Sequence, residues 1–156
     1  MKKTLFALLL LVAALPALAQ EKKQYYNEEI NAMEQIDQAV AQAQQSGKFV
    51  ICQVGGNWCP WCIRFADFIA ADTEIKQLVD DNFVYIHVNY SPKNKNPEAM
   101  ERLSKCTRFG FPVLVVLNDK GEVIHLQDSS YLEEDKSYNK EKVTRFFKNW
   151  TPAAVK

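Results

Sequence analysis

The sequence predicts an α/β fold built on a central mixed β-sheet. Three short runs rich in β-branched, aromatic or otherwise apolar residues are typical of buried strands, and segments with apolar residues at helical spacing lie between them. The turn at 118–121 leads into a fourth strand, so the last two strands should form an antiparallel hairpin. The predicted strands are 49–54, 83–88, 113–117 and 122–126.

The helices are predicted from apolar periodicity and from capping residues. A first amphipathic helix ends at Gly47, and a second begins within the motif at 59–62. A third starts at Asp72 or Thr73, either of which can cap it. The stretch 127–138 is predicted to be a polar connection. Later helical segments are predicted over 98–109 and around Val143, Phe146, Phe147 and Trp150.

Residues 1–19 have the three parts of a secretory signal peptide. Lys2 and Lys3 form a positive n-region, 5–15 is an apolar stretch, and the residues before Ala19 supply the small side chains of a cleavage site. The apolar stretch is well short of the roughly 20 residues that cross a bilayer, which favours cleavage over an uncleaved anchor. We therefore expect a periplasmic or otherwise exported protein with 20–156 as a single domain and no membrane span.

Charge and length restrict the function classes. The whole chain has 19 basic and 19 acidic residues, and loss of Lys2 and Lys3 with the signal peptide leaves a slight acidic excess. Since phosphate binding requires a basic face, nucleic acid is not an expected partner. The remaining length, about 137 residues, is that of one ordinary domain. We therefore expect one functional site.

The candidate chemistry lies in the sequence Trp58-Cys59-Pro60-Trp61-Cys62, between a predicted strand and a predicted helix. Two cysteines separated by two residues at a helix start can close a small disulfide ring and reopen it. Cys59 would lie at the helix N-terminus, where unpaired N–H groups favour the thiolate, so it is the predicted nucleophile. Cys62, one turn further, would resolve the mixed disulfide formed at Cys59. Pro60 suits the first helical turn.

Other interpretations of the cysteines are weaker. A structural zinc site needs four ligands, and besides the isolated Cys52 and Cys106 only His87 and His125 are available, so no metal is expected. A purely structural disulfide within the motif would constrain little unfolded-chain entropy in so small a ring. Cys52, in the middle of a strand, is predicted to be a small buried apolar residue. A Cys52–Cys106 disulfide is the alternative in an oxidising compartment.

The order of strand, WCxxC, helix, strand and helix, followed by the sequence 110–112 before a buried strand and hairpin, resembles the thioredoxin family over 48–150. The resemblance implies a thioredoxin-like fold with helices on both faces of the sheet, and a thiol-disulfide oxidoreductase that needs no cofactor. It also implies that Pro112 is cis and lies against the active disulfide. Phe111 would offer backbone groups to a substrate strand. The substrate-binding residues that we expect are Trp58, Pro60, Trp61, Phe111 and Pro112.

Within that family the chain looks closest to exported bacterial proteins of the disulfide interchange or cytochrome biogenesis type. Thioredoxins carry a buried Asp six residues before the first active cysteine, and here that position is Gln53, whose amide cannot accept a proton from Cys62.

The dipeptide Pro60-Trp61 lacks the histidine of strongly oxidising relatives, which favours a reductase or interchange role. The expected partners are protein thiols or disulfides and a membrane-bound electron donor. The alternative function is a peptide-binding module that uses the groove around Phe111 and Pro112 without redox turnover.

Overall fold

A computed structural model of the chain describes residues 23–156, and the predicted signal peptide lies outside the described residues. Within 23–156 no helix is both long and apolar enough to cross a membrane. The strands are β1 (Phe49–Gly55), β2 (Phe83–Asn89), β3 (Val113–Leu117), β4 (Val123–Asp128), β5 (Glu133–Glu134) and β6 (Ser137–Tyr138). The α-helices are α1 (Ala32–Ser46), α2 (Pro60–Ala71), α3 (Thr73–Asn82), α4 (Pro97–Arg102), α5 (Lys140–Asn149) and α6 (Pro152–Val155).

The main sheet has the strand order β2-β1-β3-β4. β1 is parallel to β2 and antiparallel to β3, and β3 is antiparallel to β4. The predicted mixed sheet and the predicted hairpin are therefore confirmed. The two inner strands, β1 and β3, are buried along their whole length, as expected for strands that have helices on both faces. This arrangement brings the end of β1 and the start of β3 to the same edge of the sheet.

The two faces of the sheet carry two separate hydrophobic cores. Successive strand residues point to opposite faces, so Val50, Cys52 and Val54 of β1 pack with α1 and α4, while Phe49 and Ile51 pack with α2, α3 and α5. The predicted helices on both faces are therefore confirmed.

Cys52 and Cys106 are fully buried free thiols in the first of these cores. The alternative Cys52–Cys106 disulfide is therefore not formed, and the prediction of Cys52 as a buried apolar residue is confirmed. Burial raises the pKa of Cys106 to about 11 and raises the pKa of Cys52 further. Since the thiolate is the reactive form, neither residue is suited to exchange chemistry.

The single helix predicted over 98–109 is wrong. α4 ends at Arg102, and a separate turn of 3₁₀-helix covers Cys106–Phe109. Between them Ser104 and Lys105 have positive φ angles of 57° and 53°, and their N–H groups donate to carbonyls of α4. Leu103 is buried just before this break and Cys106 just after it, so the apolar periodicity continues although the helix does not.

The predicted polar connection at 127–138 contains more structure than its composition suggests. β4 continues to Asp128, a 3₁₀ turn covers Ser129–Leu132, and β5 and β6 form a small antiparallel pair. Tyr138 is buried there, with its ring 4.6 Å from that of Phe65 in an edge-to-face contact. Its hydroxyl donates to the Trp61 carbonyl at 3.2 Å. The connection thus supports the first turn of α2.

Candidate active site

Cys59 and Cys62 form a disulfide at the start of α2, directly after β1, with their Cα atoms 5.2 Å apart. Cys59 is the N-cap of α2 and Pro60 occupies its first turn, as predicted. The backbone N–H of Cys62 donates to Cys59 Sγ at 3.2 Å. Because unpaired N–H groups at a helix start favour negative charge, this contact would stabilise a thiolate at Cys59.

The two sulfur-bearing residues differ in their access to solvent. Cys59 is 4% exposed, whereas Cys62 is completely buried. Cys59 Sγ also lies 3.7 Å from the Phe111 carbonyl oxygen. Of the two cysteines, Cys59 alone retains some exposed surface for an incoming disulfide to reach, and the order in which the two thiols react stays a prediction.

Alkylation of the reduced protein near neutral pH is expected to label Cys59 before the other three cysteines. The reason is that Cys59 lies at the N-terminus of α2 and retains a small exposed area, while Cys62, Cys52 and Cys106 are fully buried. Brief treatment with iodoacetamide followed by peptide mass spectrometry measures the order. As a control, all four should react at similar rates in urea. Labelling of Cys62 ahead of Cys59 in the folded protein would reverse the assigned roles.

Gln53 lies beneath Cys62 and is fully buried. Its Nε2 donates to the Tyr26 hydroxyl oxygen at 2.6 Å and to the Cys62 carbonyl at 3.0 Å. Its Oε1 accepts a hydrogen bond from the Tyr85 hydroxyl at 2.6 Å. The neutral amide therefore holds the backbone of Cys62 and links two tyrosines, and every polar atom of its side chain has a partner.

The segment 23–27, ahead of α1, is attached to the loop that precedes the CPWC motif. Asn57 Oδ1 accepts hydrogen bonds from the backbone N–H groups of Tyr25 and Tyr26, at 3.0 and 3.1 Å. Asn57 Nδ2 donates to the Tyr26 carbonyl at 2.7 Å. Sequence reasoning missed both Asn57 and Tyr26. The only signals were the position of Asn57 beside the motif and a pair of aromatic residues in a polar segment.

The Phe111–Pro112 peptide bond is cis, as the family resemblance implied. Phe111 packs against the small cluster that contains both active cysteines. Trp58 is 48% exposed, and its indole N–H donates to the Tyr90 carbonyl at 2.8 Å. The Phe111 ring contacts Trp58 edge to face at 5.4 Å and stacks on Tyr90 at 5.0 Å. Trp58, Phe111 and Pro112 therefore lie together beside Cys59, and Tyr90 joins them although the sequence did not single it out.

Pro60 and Trp61 are the first two residues of α2. Trp61 is half-buried, with its ring edge to face on Tyr138 at 5.4 Å and the Arg64 guanidinium 4.4 Å above it. Pro60 is exposed at the start of α2. Trp61 also packs, like Phe111, against the buried cluster that contains Cys59 and Cys62, and Pro60 lines one surface pocket together with Trp58.

Both histidines are packed among aromatic rings. His87 lies 5.3 Å from the rings of both Tyr25 and Tyr26, and burial lowers its pKa to about 4, which keeps it neutral near pH 7. His125 stacks on Trp150 at 4.2 Å. Over 23–156, no group of three or more His, Cys, Asp or Glu side chains is arranged to hold a metal ion. The histidines therefore pack as predicted for strand residues.

Comparison with known proteins agrees with this geometry. The disulfide bond reductase DsbH of Chlamydia pneumoniae is 29% identical over 73 residues, which is 44% of this chain and 44% of that protein, so the chain matches less than half the length of this relative. The crystal structure of a disulphide isomerase from Xylella fastidiosa Temecula1 has a TM-score of 0.70 at 21% identity, covering 80% of this chain and 94% of the other.

A structure described as DsbH oxidoreductase has a TM-score of 0.54 at 18% identity, covering 77% of this chain and 82% of the other. At these identities the two solved structures share the fold with this chain. A family model described as thioredoxin-like matches residues 31–119, which is more than half of the chain and includes the CPWC motif and Pro112. The chain therefore belongs to the thioredoxin-like family.

Proposed function

We propose that this chain is a thiol-disulfide oxidoreductase that exchanges disulfides with protein substrates through Cys59 and Cys62. The observation that carries the proposal is the disulfide at the N-terminus of α2, in which Cys59 is 4% exposed and Cys62 is completely buried. Membership of the thioredoxin-like family and similarity to a relative named as a disulfide bond reductase support it. The buried free thiols Cys52 and Cys106 take no part.

In the reducing direction, the Cys59 thiolate attacks a substrate disulfide. A bond forms between Cys59 Sγ and one substrate sulfur, and the other substrate sulfur leaves as a thiolate. Cys62 then loses its proton and attacks Cys59 Sγ, which releases the second substrate thiolate and closes the Cys59–Cys62 disulfide. Two electrons pass from the enzyme to the substrate. A donor dithiol must return them before the next turnover.

We further propose the reductase or interchange direction, which the residues between the two cysteines favour. Pro60 and Trp61 place no charged group between the two cysteines, in contrast to the histidine of strongly oxidising relatives. The name of the reductase relative agrees with this direction. We further propose that residues 1–19 direct export and that a membrane-bound thiol donor reduces the pair. Measurement of the reduction potential of Cys59–Cys62 decides between the directions.

The proposed substrate surface is formed by the aromatic side chains of Trp58, Tyr90 and Phe111, and Pro112, which follows Phe111 in the chain, is itself buried. The exposed Trp58 ring offers an apolar contact, and the Phe111 carbonyl, 3.7 Å from Cys59 Sγ, lies where a hydrogen-bond donor of an extended chain would pass the reacting sulfur. A polypeptide can use both the ring and the backbone, whereas a small thiol can use neither. This surface therefore supports protein substrates.

Dithiothreitol-driven reduction of a protein disulfide, such as that of insulin, tests the proposal. The wild-type chain should accelerate the reaction, and Cys59→Ser should return the rate to that of dithiothreitol alone because the attacking sulfur is gone. Cys106→Ala is the control, since it removes a buried thiol outside the site. Equal rates for wild type and Cys59→Ser would contradict the proposal and favour a peptide-binding module without redox turnover.

A further inference from the structure

The Tyr26 hydroxyl and the Cys62 sulfur border the same small space above Gly55. Tyr26 is 3% exposed and packs with Cys59 and Cys62 in one buried cluster. A Cβ atom on residue 55 would overlap Cys62 Sγ and would stand only 3.0 Å from the Tyr26 hydroxyl oxygen. Because Gly55 has no Cβ atom, the Tyr26 hydroxyl and Cys62 Sγ can both border this space.

The hydrogen bonds around Tyr26 leave its own hydrogen free. The Tyr26 oxygen accepts from Gln53 Nε2 at 2.6 Å, and the carbonyl oxygen of the same amide is already paired with the Tyr85 hydroxyl. Among residues 23–156, no nitrogen or oxygen atom accepts the Tyr26 O–H. Burial raises the pKa of Tyr26, so the phenol stays protonated and remains a donor.

We propose that Tyr26 donates a hydrogen bond to the sulfur of Cys62 when that sulfur becomes a thiolate, and so promotes its attack on the mixed disulfide at Cys59. This inference rests on the proposed function. The Cys62 proton passes to solvent or to the departing substrate thiolate, while Tyr26 keeps its own proton throughout. Tyr26 thus stabilises the anion in a site where Gln53 supplies no carboxylate.

The neighbouring Tyr25 provides a matched comparison. Tyr25 also packs against the cluster of Tyr26, Cys59 and Cys62, but its hydroxyl donates to the partly exposed carboxylate of Asp67. Loss of either hydroxyl removes one oxygen atom and one hydrogen bond from the segment 23–27. Only the loss at Tyr26 removes a donor that faces Cys62.

A stopped-flow reaction of the reduced protein with dithiobis(nitrobenzoic acid), a symmetrical aromatic disulfide, separates the attack by Cys59 from the attack by Cys62. Attack by Cys59 releases the first coloured thiolate, and attack by Cys62 on the resulting mixed disulfide releases the second. We expect Tyr26→Phe to leave the first phase unchanged and to slow the second roughly tenfold, as for loss of a hydrogen bond to a charged group. The pH profile of the second phase should move to higher pH. Tyr25→Phe should match wild type in both phases.

An unchanged second phase in Tyr26→Phe, with an unchanged pH profile, would overturn the inference. Equal slowing in Tyr25→Phe, or a fall in both phases together with the thermal midpoint, would also count against it, because either result marks a structural role. If Tyr26→Phe does not fold, fluorotyrosine at position 26 is used in its place, because it keeps the O–H donor. A second phase slower than that of wild type in the fluorotyrosine protein would contradict the inference. A wild-type protein that releases no second thiolate would instead contradict the proposed function.

Discussion

Cys62→Ser is expected to stop the reaction after its first step and to leave substrate proteins attached to Cys59. The serine hydroxyl is slightly smaller than the thiol, so it fits the same space, but it cannot displace a sulfur, and the mixed disulfide has no internal route to resolution. Turnover driven by dithiothreitol should fall on the order of a hundredfold, because an external thiol replaces a neighbour already held in place. Since Cys62 is completely buried, the substitution leaves the aromatic surface beside Cys59 intact.

The trapped complexes are measured on non-reducing gels of extracts from cells that produce the variant, and are identified by mass spectrometry after reduction. The matched control is the double variant Cys59→Ser/Cys62→Ser, which should trap nothing. Complexes that form equally in the double variant would have to involve Cys52 or Cys106. That outcome, or undiminished turnover in Cys62→Ser, would remove Cys62 from the mechanism.

Gly55→Ala is expected to lower the free energy of unfolding by about 1–3 kcal/mol, the range for overpacking in a well-packed interior. Gly55 ends the central strand β1 and does not have a positive φ, so an alanine meets no backbone strain there. The added Cβ would instead overlap Cys62 Sγ and crowd the Tyr26 hydroxyl at 3.0 Å. Displacement of the buried sulfur should also slow the second step of exchange.

A double-mutant cycle with Cys62→Ala identifies the cause. Urea unfolding of the reduced single and double variants gives the coupling free energy between the two sites. If the added methyl clashes with the sulfur, Gly55→Ala should cost less in the Cys62→Ala background than in wild type. If the losses of unfolding free energy in the two single variants simply add in the double variant, the destabilisation by Gly55→Ala does not come from contact with the sulfur. A Gly55→Ala protein with wild-type stability and exchange would contradict the packing described around Cys62.

The sheet and the reactive pair could be read from the sequence because each leaves a local pattern. The first three main strands are short apolar runs, the fourth follows the turn at 118–121, and the start of α2 is marked by the CPWC motif with a proline in the first turn. Asp72 caps α3 as predicted, with its carboxylate accepting hydrogen bonds from the N–H groups of Glu74 and Ile75. These features depend on residues that are close together in the chain.

The features that were missed depend on contacts between distant parts of the chain. Tyr26 contacts Gln53 across 27 positions and lies in a segment with no helix or strand to give it a period. The break after α4 was hidden because Leu103 and Cys106 both stay buried while Ser104 and Lys105 turn the backbone. Tyr138 was predicted to belong to a polar connection, whereas in the structure its ring packs against that of Phe65.

The attachment of Asn57 to the backbone of Tyr25 and Tyr26 brings into the active site a segment that lies outside the region matched by the family model. The region matched by the family model begins at residue 31, so the segment 23–27, which carries Tyr26, lies before it in the chain. Replacement of the segment 23–27 would alter the surroundings of Cys62 Sγ while the CPWC motif, α2 and Pro112 stay unchanged. With Tyr26 in its proposed role, such a replacement would change the release of substrate by Cys62 and leave the attack by Cys59 as it was. A protein engineer could retune release by grafting a new leading segment onto the same scaffold.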